Sequence, residues 1–224
     1  MHKLTREWLA TGGVDAMVAR DAPDLRLLTE AERAASLRAA LEARPAGEAW
    51  LFGYGSLIWN PMVRSTGRRV ARIAGWHRAF CLSTRAGRGS PDNPGLVLGL
   101  DAGGECWGVA YRIDDAMLEE EFALLWKREM LAGSYVPRWL DVFDRQGARF
   151  GAALAFTIDP GCAQYSGALE PEVLVRRLAT AAGALGSSAE YLFQTCEGLR
   201  ANGIPDAALE ALAVRVAAAR AAPA

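Results

Sequence analysis

The chain has 224 residues, and 51% of them are hydrophobic, which is enough to bury the core of one large domain. Its 25 Lys and Arg residues nearly balance 26 Asp and Glu residues, and the formal net charge of −1 indicates neither a nucleic-acid partner nor an anionic membrane partner. No apolar run approaches the roughly 18 residues of a membrane span, and the first residues lack the pattern of a signal peptide. We therefore expect a soluble, cytoplasmic protein, whose oligomeric state is left open.

A zinc site would draw its ligands mainly from cysteine and histidine. The chain has four cysteines and two histidines: Cys81, Cys106, Cys162, Cys196, His2 and His77. No CxxC pair occurs, so every ligand of a zinc site would have to come from a separate element. We expect buried, reduced thiols and no metal. His77 is expected to be a structural or surface imidazole, because no nucleophile and orienting acid are indicated for a triad.

The N-terminal 45 residues are predicted to form a helical extension. Its clearest helix runs from Thr29 to Arg44, because Thr29 and Glu32 fit a capping box and Pro45 stops the run.

A predominantly β region follows. Its predicted strands are residues 49–53, 68–75, 77–84, 96–101 and 105–113, with a Gly-Gly turn at 103–104. The segment RAGRGSPDNPG, residues 85–95, is predicted to be a loop, in which Arg88 is by default a solvated charge.

The rest of the chain mixes one hairpin with helices. A helix is predicted to begin with Asp114 as its N-cap and to end near Gly133 as a left-handed C-cap. The hairpin and later helices are predicted at 136–144 with 148–158, 171–184, 188–201 and 206–220. The order lacks βαβα alternation, so we predict an α+β fold with a sheet curled into a barrel and helices packed on it.

The stretch LFGYGSLIWNP, residues 51–61, places a glycine on each side of Tyr54 within an apolar flank. Bare backbone at such a position predicts a close approach to a ligand. The stretch lacks both the Gly-Lys-Ser/Thr ending of a P-loop and the GxGxxG spacing, which argues against a nucleotide.

The helix after Asp114 carries an apolar stripe formed by Leu118, Phe122, Leu125 and Trp126. Glu129 follows Leu118 by eleven residues, which returns its side chain to within roughly 20° of the same direction. Glu119, Glu120 and Glu121 lie off this line or in the first turn, where the helix dipole and solvent account for them.

Two interpretations of Glu129 stay open at the level of the residues. In the first, Glu129 reaches solvent at the helix end or pairs with an arginine such as Arg78 or Arg85. In the second, it is a general acid and base at the floor of a pocket, with a pKa raised by burial. Tyr135, just beyond the helix, is either a core aromatic or a pocket hydroxyl.

Five ordered segments resemble the ChaC family of γ-glutamylcyclotransferases, and its bacterial members in particular. They are FGYGSLIWNP, GWHRAFCLS, AGRGSPDNPGLVLGLD, CWGVAYRI and LLWKREMLAGSYVPRWL, and the C-terminal part continues the resemblance. It covers about residues 45–215. Departures at Ser90, where the family often has Thr, and at Leu96, where it often has Arg, affect only contacts of the loop 85–95.

The resemblance implies a γ-glutamylcyclotransferase-like domain over residues 46–224, built as a small mixed β-barrel with flanking helices and a helical C-terminal third. It also implies cleavage of glutathione to 5-oxoproline and cysteinylglycine without metal or organic cofactor. Glu129 matches the family's catalytic carboxylate in its W-x-R-E run. The residues predicted to bind the substrate are Phe52, Gly53, Tyr54, Gly55, Ser56, Leu57 and Tyr135.

Two alternatives remain at this stage. The same chemistry can act on another γ-glutamyl amine or dipeptide, or the protein can be a non-catalytic regulator, as the family's older association with cation transport implies. A pocket without a working base would suit the regulator, and the presence of Glu129 argues against it.

Overall fold

The computed structural model describes residues 4–222 and contains a closed barrel of five strands. The strands are β1 (Ala49–Gly53), β2 (Gly67–Thr84), β3 (Gly95–Ile113), β4 (Tyr135–Phe143) and β5 (Arg149–Ile158). Their order is β1-β3-β2-β4-β5, and β1 pairs antiparallel with β3 and parallel with β5 to complete the barrel. The predicted α+β fold with a small mixed barrel is confirmed.

Strands β2 and β3 are each continuous where the sequence predicted two strands. They pair antiparallel along their length, with shifts of register between Ala74 and Trp76 and between Ala79 and Leu82. Gly103 and Gly104 both have positive φ but lie within β3, so the predicted turn at 103–104 is wrong. The glycines bend the strand, because an irregular pairing bends a ladder without ending it.

Helices surround the barrel. They are α1 (Arg6–Ala10), α2 (Gly13–Asp21), α3 (Glu30–Glu42), α4 (Ser56–Trp59), α5 (Leu118–Glu129), α6 (Pro171–Thr180), α7 (Ser188–Ala201) and α8 (Ala207–Ala221). The capping box of α3 forms as predicted, with Thr29 and Glu32 bonding reciprocally. The helical C-terminal third is confirmed, and no helix within residues 4–222 is long and apolar enough to cross a membrane.

Two helices end earlier than predicted, and one helix was not predicted. Helix α5 ends at Glu129, and Gly133, with φ of 68°, serves the turn into β4 instead of capping the helix. Helix α6 ends at Thr180, because residues 182–187 form the small hairpin of β6 (Ala182–Gly183) and β7 (Gly186–Ser187). The one-turn helix α4 was not predicted, since four residues are too few to show a helical period.

Glu121 of α5 is wholly buried, so the prediction that solvent accounts for it is wrong. Its carboxylate accepts bonds of 2.6 and 2.9 Å from the guanidinium of Arg6 in α1. The backbone N–H and Nε of Arg64 donate to the same carboxylate at 2.8 and 2.5 Å. Burial raises the pKa of Glu121, but the bonds from Arg6 and Arg64 outweigh burial and leave the pKa below its ordinary value.

The N-terminal helices therefore attach to the barrel domain through a charged cluster and an apolar one. Leu124 of α5 packs against the apolar cluster. The buried residues of this cluster are Leu9, Val14, Met17, Val18, Ala22 and Ala86. The division into an extension, 1–45, and a catalytic domain, 46–224, stays a prediction.

We expect Glu121→Gln to lower the free energy of unfolding at pH 7 by about 2 kcal/mol. Loss of the buried carboxylate leaves the guanidinium of Arg6 without a carboxylate and that of Arg64 with Glu120 alone, but both guanidinium groups remain partly exposed to water, which limits the cost. Urea denaturation measures the difference. Glu120→Gln, on the exposed side of the same helix, is the matched control and should change stability by less than about 0.5 kcal/mol.

The same pair of proteins tests the sign of the pKa shift. Because the folded-state pKa of Glu121 lies below its ordinary value of 4.5, its contribution is present above pH 4.5 and is lost as the pH falls through the folded pKa. The stability difference between wild type and Glu121→Gln should therefore narrow in acid. A difference that stays constant down to pH 2 would contradict this assignment.

Candidate active site

A small cavity forms where the glycine loop meets the end of α5, the start of β4 and helix α7. The glycine loop is residues 53–57, which run from the last residue of β1 into the first turn of α4. Its lining residues are Tyr54, Gly55, Ser56, Leu57, Leu98, Glu129, Tyr135, Phe156 and Tyr191. Six of these residues were predicted as site residues from the sequence, and three were not. The cavity volume is about 20 Å³, room for one water molecule, so side chains must move apart to admit a larger ligand.

Glu129 is the last residue of α5, and only 12% of its side chain is exposed. Burial raises the pKa of its carboxyl, and the guanidinium of Arg128 opposes that rise. A carboxyl of this kind accepts a proton more readily near neutral pH than an ordinary glutamate does.

The first interpretation of Glu129 is confirmed in one part, because the side chain pairs with an arginine, but that arginine is Arg128 and not Arg78 or Arg85. Arg85 pairs with Asp24 at 2.6 Å on the surface. The side chain of Arg78 is 7% exposed and contacts other groups. Its Nη1 donates to the carbonyl of Tyr54 at 2.6 Å, and its Nε lies 3.0 Å from Asp206, the N-cap of α8.

Arg128 forms the ion pair with Glu129, with 2.9 Å between Nε and Oε1. Its long side chain also reaches the glycine loop, where Nη2 donates to Ser56 Oγ at 2.8 Å. Its Nη1 donates to the carbonyl of Asn60 at 2.6 Å.

Gly55 is required by its neighbours across the cavity. A Cβ at this position would lie 2.8 Å from the hydroxyl oxygen of Tyr191 and 3.5 Å from Cβ of Leu98. The chain then enters α4 at Ser56, and the first N–H groups of a helix have no partner within it. The loop thus brings backbone donors to the cavity, as expected from its missing side chains.

Three tyrosine hydroxyls surround the carboxyl of Glu129. Tyr54 donates to the carbonyl of Phe156 at 2.9 Å, and Tyr135 donates to the carbonyl of Leu98 at 3.3 Å. Burial is the largest cause that raises the pKa of Tyr54, Tyr135 and Tyr191, and the carboxylate of Glu129 adds to it. All three hydroxyls therefore stay protonated at neutral pH, and since each carries a single O–H, those of Tyr54 and Tyr135 are already engaged by backbone carbonyls.

Phe52 and Gly53, also predicted to bind substrate, lie in β1 and do not line the cavity. They pack instead against Gly108 of β3, where a Cβ would come within 2.3 Å of the Gly53 carbonyl oxygen and 2.7 Å of the Phe52 ring. A role of these two residues in substrate binding stays a prediction.

Arg88 is not a solvated charge, because its side chain is 13% exposed. Its guanidinium carbon lies 5.8 Å from the ring centres of both Trp59 and Tyr191, and Nη1 donates to the carbonyl of Ser187 at 3.3 Å. The prediction from loop composition failed because α7 covers this part of the loop.

The remaining candidates lie outside the cavity. His77 is exposed, with its ring nitrogen 3.1 Å from the Gly103 carbonyl, while His2 falls outside the described residues. Burial raises the pKa of Cys81 to about 12 and that of Cys196 to about 11, so neither thiol is poised as a nucleophile. No group of three or more potential ligands within residues 4–222 is arranged to hold a metal ion.

A larger, open cleft of about 560 Å³ lies at the β6–β7 hairpin and contains none of the predicted site residues. The smaller cavity is the better candidate for the active site, because a nearly buried carboxyl, tyrosine hydroxyls and bare backbone converge there.

Tyr191 is the main lining residue that sequence reasoning missed. It belongs to the buried face of α7, together with Leu192, Thr195 and Leu199. A hydroxyl on a stripe of buried positions is the same signal that singled out Glu129, and applied to α7 it would have found Tyr191.

Comparison with known proteins agrees with this geometry. The family model described as "ChaC-like protein" matches residues 49–219. A glutathione-specific gamma-glutamylcyclotransferase from Escherichia coli (strain K12) is 43% identical over 215 residues, which is 95% of this chain and 92% of that protein. Glutathione-specific gamma-glutamylcyclotransferase 1 of Homo sapiens is 31% identical over 170 residues, 75% of this chain and 76% of that protein.

The fold is shared with a solved structure. A crystal structure of a selenomethionine-labelled γ-glutamyl cyclotransferase specific to glutathione, from yeast, superposes with a TM-score of 0.71 at 23% identity. The match covers 78% of this chain and 97% of the yeast chain, and it shows that the barrel and its helices form the same fold. With the family model covering most of the chain, this protein belongs to the ChaC-like family, among relatives that are γ-glutamylcyclotransferases.

Proposed function

We propose that this protein is a glutathione-specific γ-glutamylcyclotransferase that converts glutathione to 5-oxoproline and cysteinylglycine. The observation that carries the proposal is the position of the Glu129 carboxyl. It is shielded from solvent, burial raises its pKa, and it lines one small cavity together with the glycine loop. The names of the bacterial and human relatives support the substrate.

The first step removes a proton from the α-ammonium group of the substrate. Glu129 is the base, because burial raises the proton affinity of its carboxylate. The freed amine nitrogen then attacks the γ-carbonyl carbon of the same glutamyl residue. The reaction closes a five-membered ring, so nucleophile and electrophile are already joined, and the cavity has only to hold the chain in a curled conformation.

The tetrahedral intermediate carries a negative oxygen that needs hydrogen-bond donors. The hydroxyl group of Tyr191 and the first N–H groups of α4 are the donors we assign to this oxygen, and the hydroxyls of Tyr54 and Tyr135 can join them only by releasing the carbonyls to which they donate. These groups serve either this oxyanion or the α-carboxylate of the substrate. Collapse of the intermediate breaks the amide bond, and protonated Glu129 returns its proton to the departing cysteinyl amine. The Glu129 carboxylate then takes the second proton of the ring nitrogen and passes it to the released amine, which leaves 5-oxoproline as the neutral lactam and cysteinylglycine as the ammonium form. Neither water nor an oxidant is consumed.

The structural assignments that go with this function are also proposals. Residues 46–224 form the catalytic domain, and residues 1–45 form an extension attached through the Arg6–Glu121 pair. The partner is a small molecule, no cofactor takes part, and the free cysteines fit a reducing, cytoplasmic compartment.

Purified protein incubated with glutathione, without added metal, is expected to release 5-oxoproline and cysteinylglycine in equal amounts. The measurement is quantification of both products by mass spectrometry, with γ-glutamyl-alanine as a parallel substrate. Product from γ-glutamyl-alanine but not from glutathione would favour the alternative of a different γ-glutamyl substrate. Binding of either compound without any turnover would favour the non-catalytic regulator.

Glu129→Gln should lower kcat by at least ~100-fold with little change in KM, because the amide keeps the shape of the side chain but cannot take a proton. Steady-state kinetics on glutathione measures both constants. Glu120→Gln, on the exposed side of the same helix, is the matched control and should retain wild-type rates. Full activity in Glu129→Gln would show that Glu129 is not the base.

Gly55→Ala should raise KM and lower kcat, with kcat/KM falling at least about tenfold, because the new Cβ displaces Tyr191 and the loop together. Gly67→Ala is the control, since a Cβ there meets nothing within 4 Å.

Tyr191→Phe makes the Gly55 test specific, because it removes the hydroxyl oxygen that the Cβ meets. The loss of kcat/KM caused by Gly55→Ala should be smaller in the Tyr191→Phe background than in wild type. Equal losses in the two backgrounds would mean that the Tyr191 contact is not what requires glycine.

A further inference from the structure

Building on the proposed function, we propose that Arg128 is a positioning residue that joins the catalytic carboxylate to both ends of helix α4 and so fixes the carboxylate relative to the glycine loop. Neither the family match nor the sequence pattern assigns a role to this side chain. Its contacts do, because each nitrogen of the guanidinium meets a different part of the site.

The three contacts are one ion pair and two hydrogen bonds. Nε lies 2.9 Å from Oε1 of Glu129, Nη2 donates to Ser56 Oγ at 2.8 Å, and Nη1 donates to the carbonyl of Asn60 at 2.6 Å. Ser56 is the first residue of α4, and Asn60 is its C-cap. One rigid, planar group therefore spans α4 and holds the glycine loop at a set distance from the carboxylate.

The contact with Glu129 is an ion pair, with 2.9 Å between Nε and Oε1. With 7% of its side chain exposed, Arg128 is shielded from water, so the ion pair and the two hydrogen bonds have little competition from solvent.

Arg128 also sets the charge beside the carboxyl. The other titratable groups that face Glu129 in the described part of the chain are Tyr54 after β1, Tyr135 in β4 and Tyr191 in α7. These hydroxyls are neutral at neutral pH because their pKa values are raised. Arg128 is the cation that opposes the effect of burial on the pKa of Glu129.

Two substitutions separate the geometric role from the charge. Arg128→Lys keeps a cation, but a single ammonium group cannot reach Glu129, Ser56 and Asn60 together as the planar guanidinium does. Its kcat should therefore fall about tenfold, while the acid limb of the kcat/KM pH profile stays near its wild-type position. Arg128→Gln removes the cation as well. Its kcat should fall at least as far, and the acid limb should move to higher pH by on the order of one unit, because Glu129 then loses its proton less easily.

Lys127→Met is the matched control. Lys127 precedes Arg128 in α5 and also carries a positive charge, but its Nζ donates to the carbonyl of Ala10 at 3.2 Å, away from the cavity. This variant should keep the wild-type kcat, KM and pH profile. Thermal unfolding of all three variants shows whether each is folded. If Arg128→Gln does not fold, the kcat of Arg128→Lys decides the question.

A second readout keeps this inference separate from the proposed function. Titration of the carboxyl carbon of Glu129 by ¹³C NMR, assigned by loss of its signal in Glu129→Gln, should give a higher pKa in Arg128→Gln than in wild type. If wild-type protein makes no 5-oxoproline, the proposed function fails and the titration still tests Arg128. The inference would be overturned if Arg128→Gln had the wild-type kcat, the wild-type acid limb of the kcat/KM pH profile and the wild-type pKa of Glu129 in the NMR titration.

Discussion

The parallel pairing of β1 with β5 is the constraint on which the site depends. It closes the barrel, and because β1 ends at Gly53, it delivers the glycine loop to the barrel end where Phe156 of β5 lies. The bond from the Tyr54 hydroxyl to the Phe156 carbonyl secures the loop there. With Arg78 holding the carbonyl of Tyr54 from β2, the loop is fixed on two sides before any ligand is present.

Helix α5 carries two shielded carboxylates with opposite properties, and their surroundings explain the difference. Glu121 accepts bonds from two arginines, which hold its pKa below the ordinary value. Glu129 has one arginine, which is shared with the glycine loop, and burial raises its pKa. The first arrangement stabilises a permanent anion that attaches the N-terminal helices. The second leaves a carboxyl able to exchange a proton, which is what the proposed chemistry requires.

Much of the local structure followed from sequence patterns, and so did the central residue of the site. The capping box at Thr29 and the strand containing Gly53 were predicted correctly, because both depend on residues close together in the chain. The stripe on α5 singled out Glu129. The same reasoning misjudged Glu121 and Arg88, because their burial is caused by α1 and α7, which are distant in sequence.

By itself the sequence determined the α+β class, the barrel with its helical C-terminal third, and the pairing of a bare loop with one buried carboxyl. Periodicity, glycine placement and the resemblance to the ChaC family carry that information. The tertiary structure decided which groups complete the site: Tyr191 opposite Gly55, and Arg128 between Glu129 and α4. The contacts of Tyr191 with Gly55 and of Arg128 with α4 join residues more than 60 positions apart. An arginine side chain is long enough to reach either solvent or a neighbouring loop, so packing sets its direction and its place in the chain does not.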